Sequence, residues 1–248
     1  MRGLFVTATD TGVGKTVLSA ALLAAIAGHG GRVRAHKPAV TGLDEPGDGP
    51  DGSAWPPDHE LLGGAAAMSG EEVAPLRYGP AVSPQLAGEL AGEPPARERI
   101  LEAGRDALAL AAGDGEQTGG ATLIVEGVGG LLSPLADGLT VCDLAVALRL
   151  PLLIAARPGL GTINHTLLTL QSARAAGLTV RAVVLTPWPR RPLRLELSNR
   201  AAIERSGLVE VAVLPRAGGP AIDELARIGE SLPWRRWLGA SDAVRQPA

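Results

Sequence analysis

Short apolar runs recur along the chain, and longer segments with helical spacing separate most of them. A continuous apolar run of about four to eight residues is typical of a strand that is buried on both faces of a parallel sheet. The Ala- and Leu-rich stretch 17–27 predicts a helix that ends at Gly28, Gly30 and Gly31. The predicted strands are residues 4–6, Val33–His36, Thr122–Glu126, 152–155, 180–185 and 209–214.

Strands that alternate with helices predict an α/β fold, in which a parallel sheet carries helices on both faces. No boundary divides the chain, so we expect a single domain over residues 1–248. Aromatic residues make up 2% of the chain, and Ala, Val, Leu and Ile must therefore fill its core. In such sheets ligands bind beyond the carboxyl ends of the strands.

Three segments are too polar or too irregular to belong to the sheet. Residues 42–57 are rich in Gly, Pro and Asp and are predicted to form a mobile loop near the ligand crevice. Residues 113–120 form a polar connector, and residues 239–248 form a flexible tail. Packing against the body is the favoured role of Trp234 and Trp237, although they could also dock on a partner.

Composition narrows the classes of partner. The net charge is −3 and no basic stripe is present, so we expect neither nucleic acid nor a membrane surface as a partner. The single cysteine, Cys142, suits a reducing compartment. The first residues reach polar Asp10 too early for a signal peptide, so we expect none, and we expect a cytoplasmic protein.

Lys15 and Lys37 are the two lysines among 23 Lys and Arg residues. A lysine that persists in an arginine-rich chain is a candidate for a role that suits a compact ammonium, such as binding a phosphate oxygen. For Lys37 alone, chance composition is an equally good explanation. The neighbours of Lys15 favour function.

Residues 7–16 resemble a Walker A loop and follow a predicted strand. Such a loop presents backbone N–H groups to phosphates at the positive end of a helix. Lys15 would reach the outer phosphates, and the Thr16 hydroxyl would bind Mg²⁺. The standard pattern has Gly where this chain has Thr9. The motif predicts a P-loop NTPase-like sheet, with nucleotide contacts from Gly12, Val13, Gly14, Lys15, Thr16 and Val17.

Glu126 ends a buried strand and Asp58 begins a helical stretch. Together with Thr16 they would supply the oxygen ligands that Mg²⁺ prefers. The alternatives are a solvated Glu at a strand end and an ordinary helix N-cap for Asp58.

A third segment, residues 159–165, follows a strand and enters a helix at Ile163 or Asn164. Its free amides could bind a carboxylate, or it could be a simple glycine-assisted turn.

Four motifs together resemble the dethiobiotin synthetase family. They are TDTGVGKT at 9–16, HKPAVTG at 36–42, VEGVGG at 125–130 and GTINHT at 161–166, and Ser83-Pro84 also fits the family pattern. They occur in the family's order and at similar spacing, and the likeness runs from about residue 4 to residue 215.

The resemblance implies an ATP-dependent ligase of biotin biosynthesis, which uses Mg²⁺. Such enzymes convert 7,8-diaminononanoate and CO₂ or bicarbonate to dethiobiotin through a carbamate and a carbamic–phosphoric mixed anhydride. It assigns Lys15, Lys37 and Thr11 to catalysis, Thr41 and Lys37 to the carbamate, and Thr16, Asp58 and Glu126 to the metal. It implies a homodimer, in which residues of the opposite subunit hold the substrate carboxylate. Those residues are Gly161, Thr162, Ile163 and Asn164.

The resemblance also assigns Glu126, Thr186, Pro187 and Pro215 to the nucleotide. Many family members carry Asn where this chain continues Thr186-Pro187-Trp188, so other nucleoside triphosphates could serve. Many also have Gly at the position of Ala8.

The main alternative to this function is a partition-type ATPase switch of the same fold. Such switches carry a second lysine five residues before the first, where this chain has Asp10.

Overall fold

A computed structural model describes residues 2–45, 55–113 and 120–239. Most of the loop predicted at 42–57 lies outside the described residues, as do most of the connector predicted at 113–120 and nearly all of the tail predicted at 239–248. No helix in the described part of the chain is long and apolar enough to cross a membrane.

Six parallel strands form the central sheet, in the order β2-β3-β1-β6-β7-β8. Two short strands, β4 and β5, pair antiparallel beside it. The strands are β1 Arg2–Ala8, β2 Val33–His36, β3 Thr122–Glu126, β4 Pro134–Ala136, β5 Leu139–Thr140, β6 Leu152–Ala156, β7 Val180–Trp188 and β8 Glu210–Pro215. All six predicted strands are confirmed, with ends that differ by up to three residues.

The helices connect these strands and cover the sheet. They are α1 Lys15–Gly28, α2 Asp58–Ala66, α3 Gly70–Val73, α4 Pro84–Leu90, α5 Arg97–Ala112, α6 Val141–Leu148, α7 Thr162–Ala175, α8 Arg194–Gly207, α9 Ile222–Gly229 and α10 Trp234–Trp237. Helix α1 begins two residues before the prediction, because Lys15 and Thr16 already form its first turn. Helix α7 likewise begins at Thr162, one residue earlier than expected.

The sheet separates two apolar layers. Leu4, Val6 and Ala8 of β1 face a cluster formed with α1, α2, α9 and α10, whereas Phe5 faces the clusters on the opposite side. This alternation follows from the two-residue period of a strand. Trp234 and Trp237 are buried in the first layer, which confirms packing as their role. The predicted parallel sheet with helices on both faces is therefore correct.

Candidate functional site

A cavity of about 600 Å³ lies beyond the carboxyl ends of the central strands. The start of α1, the segments after β2 and β3, and the ends of β7 and β8 surround it. Its lining residues are Thr11, Gly12, Gly14, Lys15, Thr16, Val17, Lys37, Thr41, Trp55, Pro56, Asp58, Leu61, Val128, Gly129, Thr186, Pro187, Pro215, Arg216 and Ala217. Most residues predicted to bind nucleotide, metal and carbamate thus meet in one place.

The loop of residues 9–14, here called the phosphate loop, leads into α1. The first amides of α1 have no side-chain caps. Gly14 is the N-cap residue with φ of 99°, and the first turn carries no acidic residue. This arrangement favours an anion, because the N-terminal N–H groups and the helix dipole both present positive charge. Gly14 also lies against Thr186, whose hydroxyl would be 3.1 Å from a Cβ at position 14. Val13 differs from the other loop residues, since its side chain is buried in the core.

The departure at Thr9 has a structural explanation. Among the described non-glycine residues, positive φ occurs at Ala67, Arg149 and Leu208, and Thr9 is not one of them. Glycine's conformational freedom is therefore not needed at that position. The Thr9 N–H donates to the carbonyl of Ala155 in β6 at 3.0 Å, which extends the sheet pairing into the loop.

Lys15 is buried against the loop that carries it. Its Nζ donates to the Asp10 carbonyl at 3.1 Å. Burial, assisted by the charge of Lys37, lowers the pKa of Lys15 to about 8 despite the nearby carboxylates. The site therefore holds an ammonium whose charge the surrounding protein does not fully compensate. A phosphate would supply that compensation.

Lys37 lies between two carboxylates. Its Nζ is 2.7 Å from Asp58 Oδ2 and 2.5 Å from Glu126 Oε1, and the Glu126 side chain is fully buried. Burial opposes the charge of Lys37, but the two carboxylates outweigh it and raise the pKa of Lys37. Burial likewise opposes the charge of Asp58, and Lys37 outweighs it, so the pKa of that carboxyl lies below its usual value. These three groups form one compensated cluster.

The same cluster contains the three predicted metal ligands. The Thr16 hydroxyl donates to Glu126 Oε1 at 2.9 Å, and Glu126 Oε2 is buried without a partner among the described residues. A buried carboxylate oxygen that lacks a donor beside a hydroxyl and a second carboxylate fits a hard cation. Pro57 is the N-cap residue of α2 and Asp58 makes no side-chain cap, so the alternative interpretation of Asp58 as an N-cap is wrong.

Thr11 and Thr41 both line the cavity. Thr11 also borders a second cavity of about 340 Å³, between the phosphate loop and α7. Thr41 follows Val40, whose N–H donates to the Leu76 carbonyl, and the Lys37 N–H donates to the Val73 carbonyl. These backbone bonds fix the segment that carries Lys37 and Thr41.

The start of α7 lies apart from this cavity. Gly161 is its N-cap residue with φ of 88°, and no side chain caps the amides. Gly161, Thr162, Ile163 and Asn164 do not line the phosphate cavity. Asn199 holds the preceding turn by donating to the carbonyls of Pro158 and Gly159. Within one chain, the structure therefore does not bring the residues predicted to bind the substrate carboxylate together with the phosphate cavity.

Sequence reasoning missed several residues around the cavity. Trp55, Arg216 and Ala217 line its wall, and Arg157 bonds the phosphate loop from β6. None belongs to a motif, and their placement depends on tertiary structure. The ion pairs of Lys37 with Asp58 and Glu126 were also missed, although all three residues had been singled out.

A phosphate loop with paired lysines, a hydroxyl and two carboxylates on a parallel sheet defines a P-loop enzyme that uses a nucleoside triphosphate. A family described as an AAA domain matches residues 2–218. The MinC:MinD cell division protein complex of Aquifex aeolicus shares the fold, with a TM-score of 0.55, 15% identity and full coverage of both chains. That likeness concerns the fold alone.

Curated relatives define the family more closely. The ATP-dependent dethiobiotin synthetase BioD of Mycobacterium avium is 42% identical over 97% of this chain and 99% of the relative. The BioD of Bacillus subtilis subsp. natto is 35% identical over 87% and 88%. The chain belongs to the ATP-dependent dethiobiotin synthetase family, and it is therefore an ATP-dependent ligase of biotin biosynthesis. The resemblance found in the four motifs is confirmed.

Proposed function

We propose that the protein closes the cyclic urea of dethiobiotin from 7,8-diaminononanoate, CO₂ and ATP. One amine of the diamine adds to CO₂, loses a proton and becomes a carbamate. A carbamate oxygen attacks the γ-phosphorus, and ADP leaves. The second amine then attacks the carbamoyl carbon of this mixed anhydride, loses a proton and expels phosphate as the ring closes. The converging lysines in the phosphate cavity are the main support for this proposal.

The side chains suit these steps because phosphoryl transfer needs positioning and charge neutralisation more than covalent help. Lys15 and the α1 amides would bind the outer phosphates. Lys37 would give up part of its pairing with the two carboxylates to bind the carbamate, and the Thr41 hydroxyl would bind the carbamate as well. Thr11 would lie at the γ-phosphate and the carbamate. Thr16, Asp58 and Glu126 would hold Mg²⁺, which supplies further neutralisation of phosphate charge when bound.

The wall formed by Thr186, Pro187 and Pro215 would face the nucleobase. Among the described lining residues, this wall carries no amide side chain that offers both a donor and an acceptor to a base edge. We therefore propose ATP as co-substrate, with other nucleoside triphosphates accepted as well.

The α7 amides would bind the substrate carboxylate in the cavity of a second subunit, so we propose a homodimer. Co-expression of Lys15→Ala and Gly161→Asp chains with different tags tests this arrangement. Each homodimer should be impaired, whereas the heterodimer holds one site with both halves intact and should recover activity. No recovery in the purified heterodimer would place both functions on one chain.

The reaction is tested by incubating the protein with the diamine, Mg²⁺, each triphosphate and bicarbonate labelled with ¹³C and ¹⁸O. We expect one ¹³C in the cyclic urea, one diphosphate per urea and ¹⁸O in the released phosphate, since the attacking carbamate oxygen stays on phosphorus. If triphosphate were hydrolysed at the same rate with and without the diamine, and no urea formed, the result would contradict the function. Urea formation without ¹⁸O in phosphate would contradict the mixed anhydride alone.

A further inference from the structure

Arg157 connects the end of β6 to the apex of the phosphate loop. Its Nη2 donates to the Thr11 carbonyl oxygen at 2.9 Å. The same guanidinium lies 4.0 Å from Asp10 Oδ2, and both side chains are more than half exposed. The exposed ion pair contributes little by itself. The directed hydrogen bond to a backbone carbonyl is the informative contact.

The position of Arg157 is fixed by the sheet. Strands β1 and β6 run parallel, with Ala8 beside Ala155, and the Thr9 N–H bonds the Ala155 carbonyl. Arg157 therefore stands two residues beyond the last point of attachment between its strand and the loop. A Cβ at Gly12 would be 3.8 Å from its Nη2, which places the guanidinium against the loop apex.

The peptide between Thr11 and Gly12 has few other restraints. Gly12 has φ of 67°, a conformation that glycine enters and leaves at low cost. The Thr11 N–H bonds Asp10 Oδ1 at 2.7 Å, but this contact restrains the preceding peptide. Among the side chains of the described residues, Arg157 is the donor to the Thr11 carbonyl.

In a trans peptide, the carbonyl and the following N–H point in opposite directions. A guanidinium that holds the Thr11 carbonyl therefore turns the Gly12 N–H away from itself. We propose that Arg157 is a positioning residue that fixes this peptide plane, so that the Gly12 amide faces the phosphates. Without it, a flipped peptide would present a carbonyl oxygen to an anion.

Only the effect of Arg157 on turnover rests on the proposed function. ATP binding and amide hydrogen exchange are measured without the diamine, so they test the inference separately from that function. Arg157→Met keeps most of the stem and removes every donor. We expect its ATP dissociation constant to rise roughly threefold to tenfold, the range expected for one net hydrogen bond. Amide exchange in residues 9–14 should accelerate, while the melting temperature stays unchanged because the side chain is exposed.

Two variants complete the test. Arg157→Lys keeps a charged donor and should recover part of the ATP affinity. Arg149→Met changes an exposed arginine just before β6, at the amino end of that strand, and should bind ATP like the unaltered protein. The inference is overturned if Arg157→Met stays within twofold in ATP affinity, if exchange in residues 9–14 is unchanged, or if Arg157→Lys shows no recovery. Equal loss in Arg149→Met would also overturn it. A chain that makes no dethiobiotin but shows the expected binding changes would refute the proposed function alone.

Discussion

Helices α1 and α7 begin in the same way and are surrounded very differently. Each starts at a glycine of positive φ, with no side-chain cap and no acidic residue in its first turn. By contrast, α3, α4 and α6 are capped by the side chains of Ser69, Ser83 and Thr140. An uncapped start favours an anion in both cases. It does not decide which anion.

The surroundings make that decision. At α1, two buried lysines, the buried Glu126 and the half-exposed Asp58 converge on a cavity large enough for a nucleotide. At α7, the next residues include exposed Asn164 and His165, and no buried cation among the described residues of the chain lies beside them. The first site can bind a highly charged phosphate group alone. For the second we propose a single carboxylate.

The largest effect should follow from Lys15→Met. We expect kcat/KM for dethiobiotin formation to fall about a thousandfold or more, because a phosphate-binding cation is removed. The free energy of unfolding should be unchanged or raised. The lowered pKa of Lys15 means that the folded state disfavours its charged form, and this cost is present in full below pH 8. Steady-state assays and urea unfolding measure both. A large loss of stability would mean that Lys15 holds the fold rather than the phosphate.

Lys37→Met should also lower kcat/KM strongly, and here the fold should be destabilised as well. Glu126 would be left buried without its ammonium, which costs about 3 kcal/mol in comparable ion pairs. Urea unfolding at pH 7.5 measures this cost. The double variant Lys37→Met with Glu126→Gln removes the unpaired charge and should regain stability but not activity. A single variant as stable as the unaltered protein would show that water solvates Glu126.

These two lysines also show how far sequence reasoning reaches. Lys15 was identified by its local motif, and the cavity confirms its location. The opposite pKa shifts of the two lysines could not be predicted, because they depend on long-range contacts. Glu126 lies 89 residues from Lys37 in the chain. Arg157 was missed for the same reason, since strand pairing alone brings it to Thr11.

His36, at the end of β2, should make the stability of the protein depend on pH. Burial lowers the pKa of His36 from 6.5 to about 4. Between these values the unfolded chain binds more protons than the folded one, so stability is lost as pH falls below 6.5. We expect a loss of about 2 kcal/mol between pH 8 and pH 5 from this group. Urea unfolding across that range measures it.

His36→Gln should flatten this part of the stability profile, because it removes the buried imidazole. Equal slopes in the unaltered protein and His36→Gln would assign the acid sensitivity to other groups, such as the carboxylates of the Lys37 cluster.

The smallest effect should come from the α7 start. Gly161→Ala strains a residue with φ of 88° and should displace the first amides of α7. We expect KM for the diamine to rise roughly tenfold, with KM for ATP within twofold, because only the carboxylate contact is disturbed. Gly177→Ala is the matched control, since it has φ of 75°, open space around it and a position at the other end of α7. It introduces similar strain and should leave both KM values unchanged. If KM for ATP also rose in Gly161→Ala, the two helix starts would not serve different ligands.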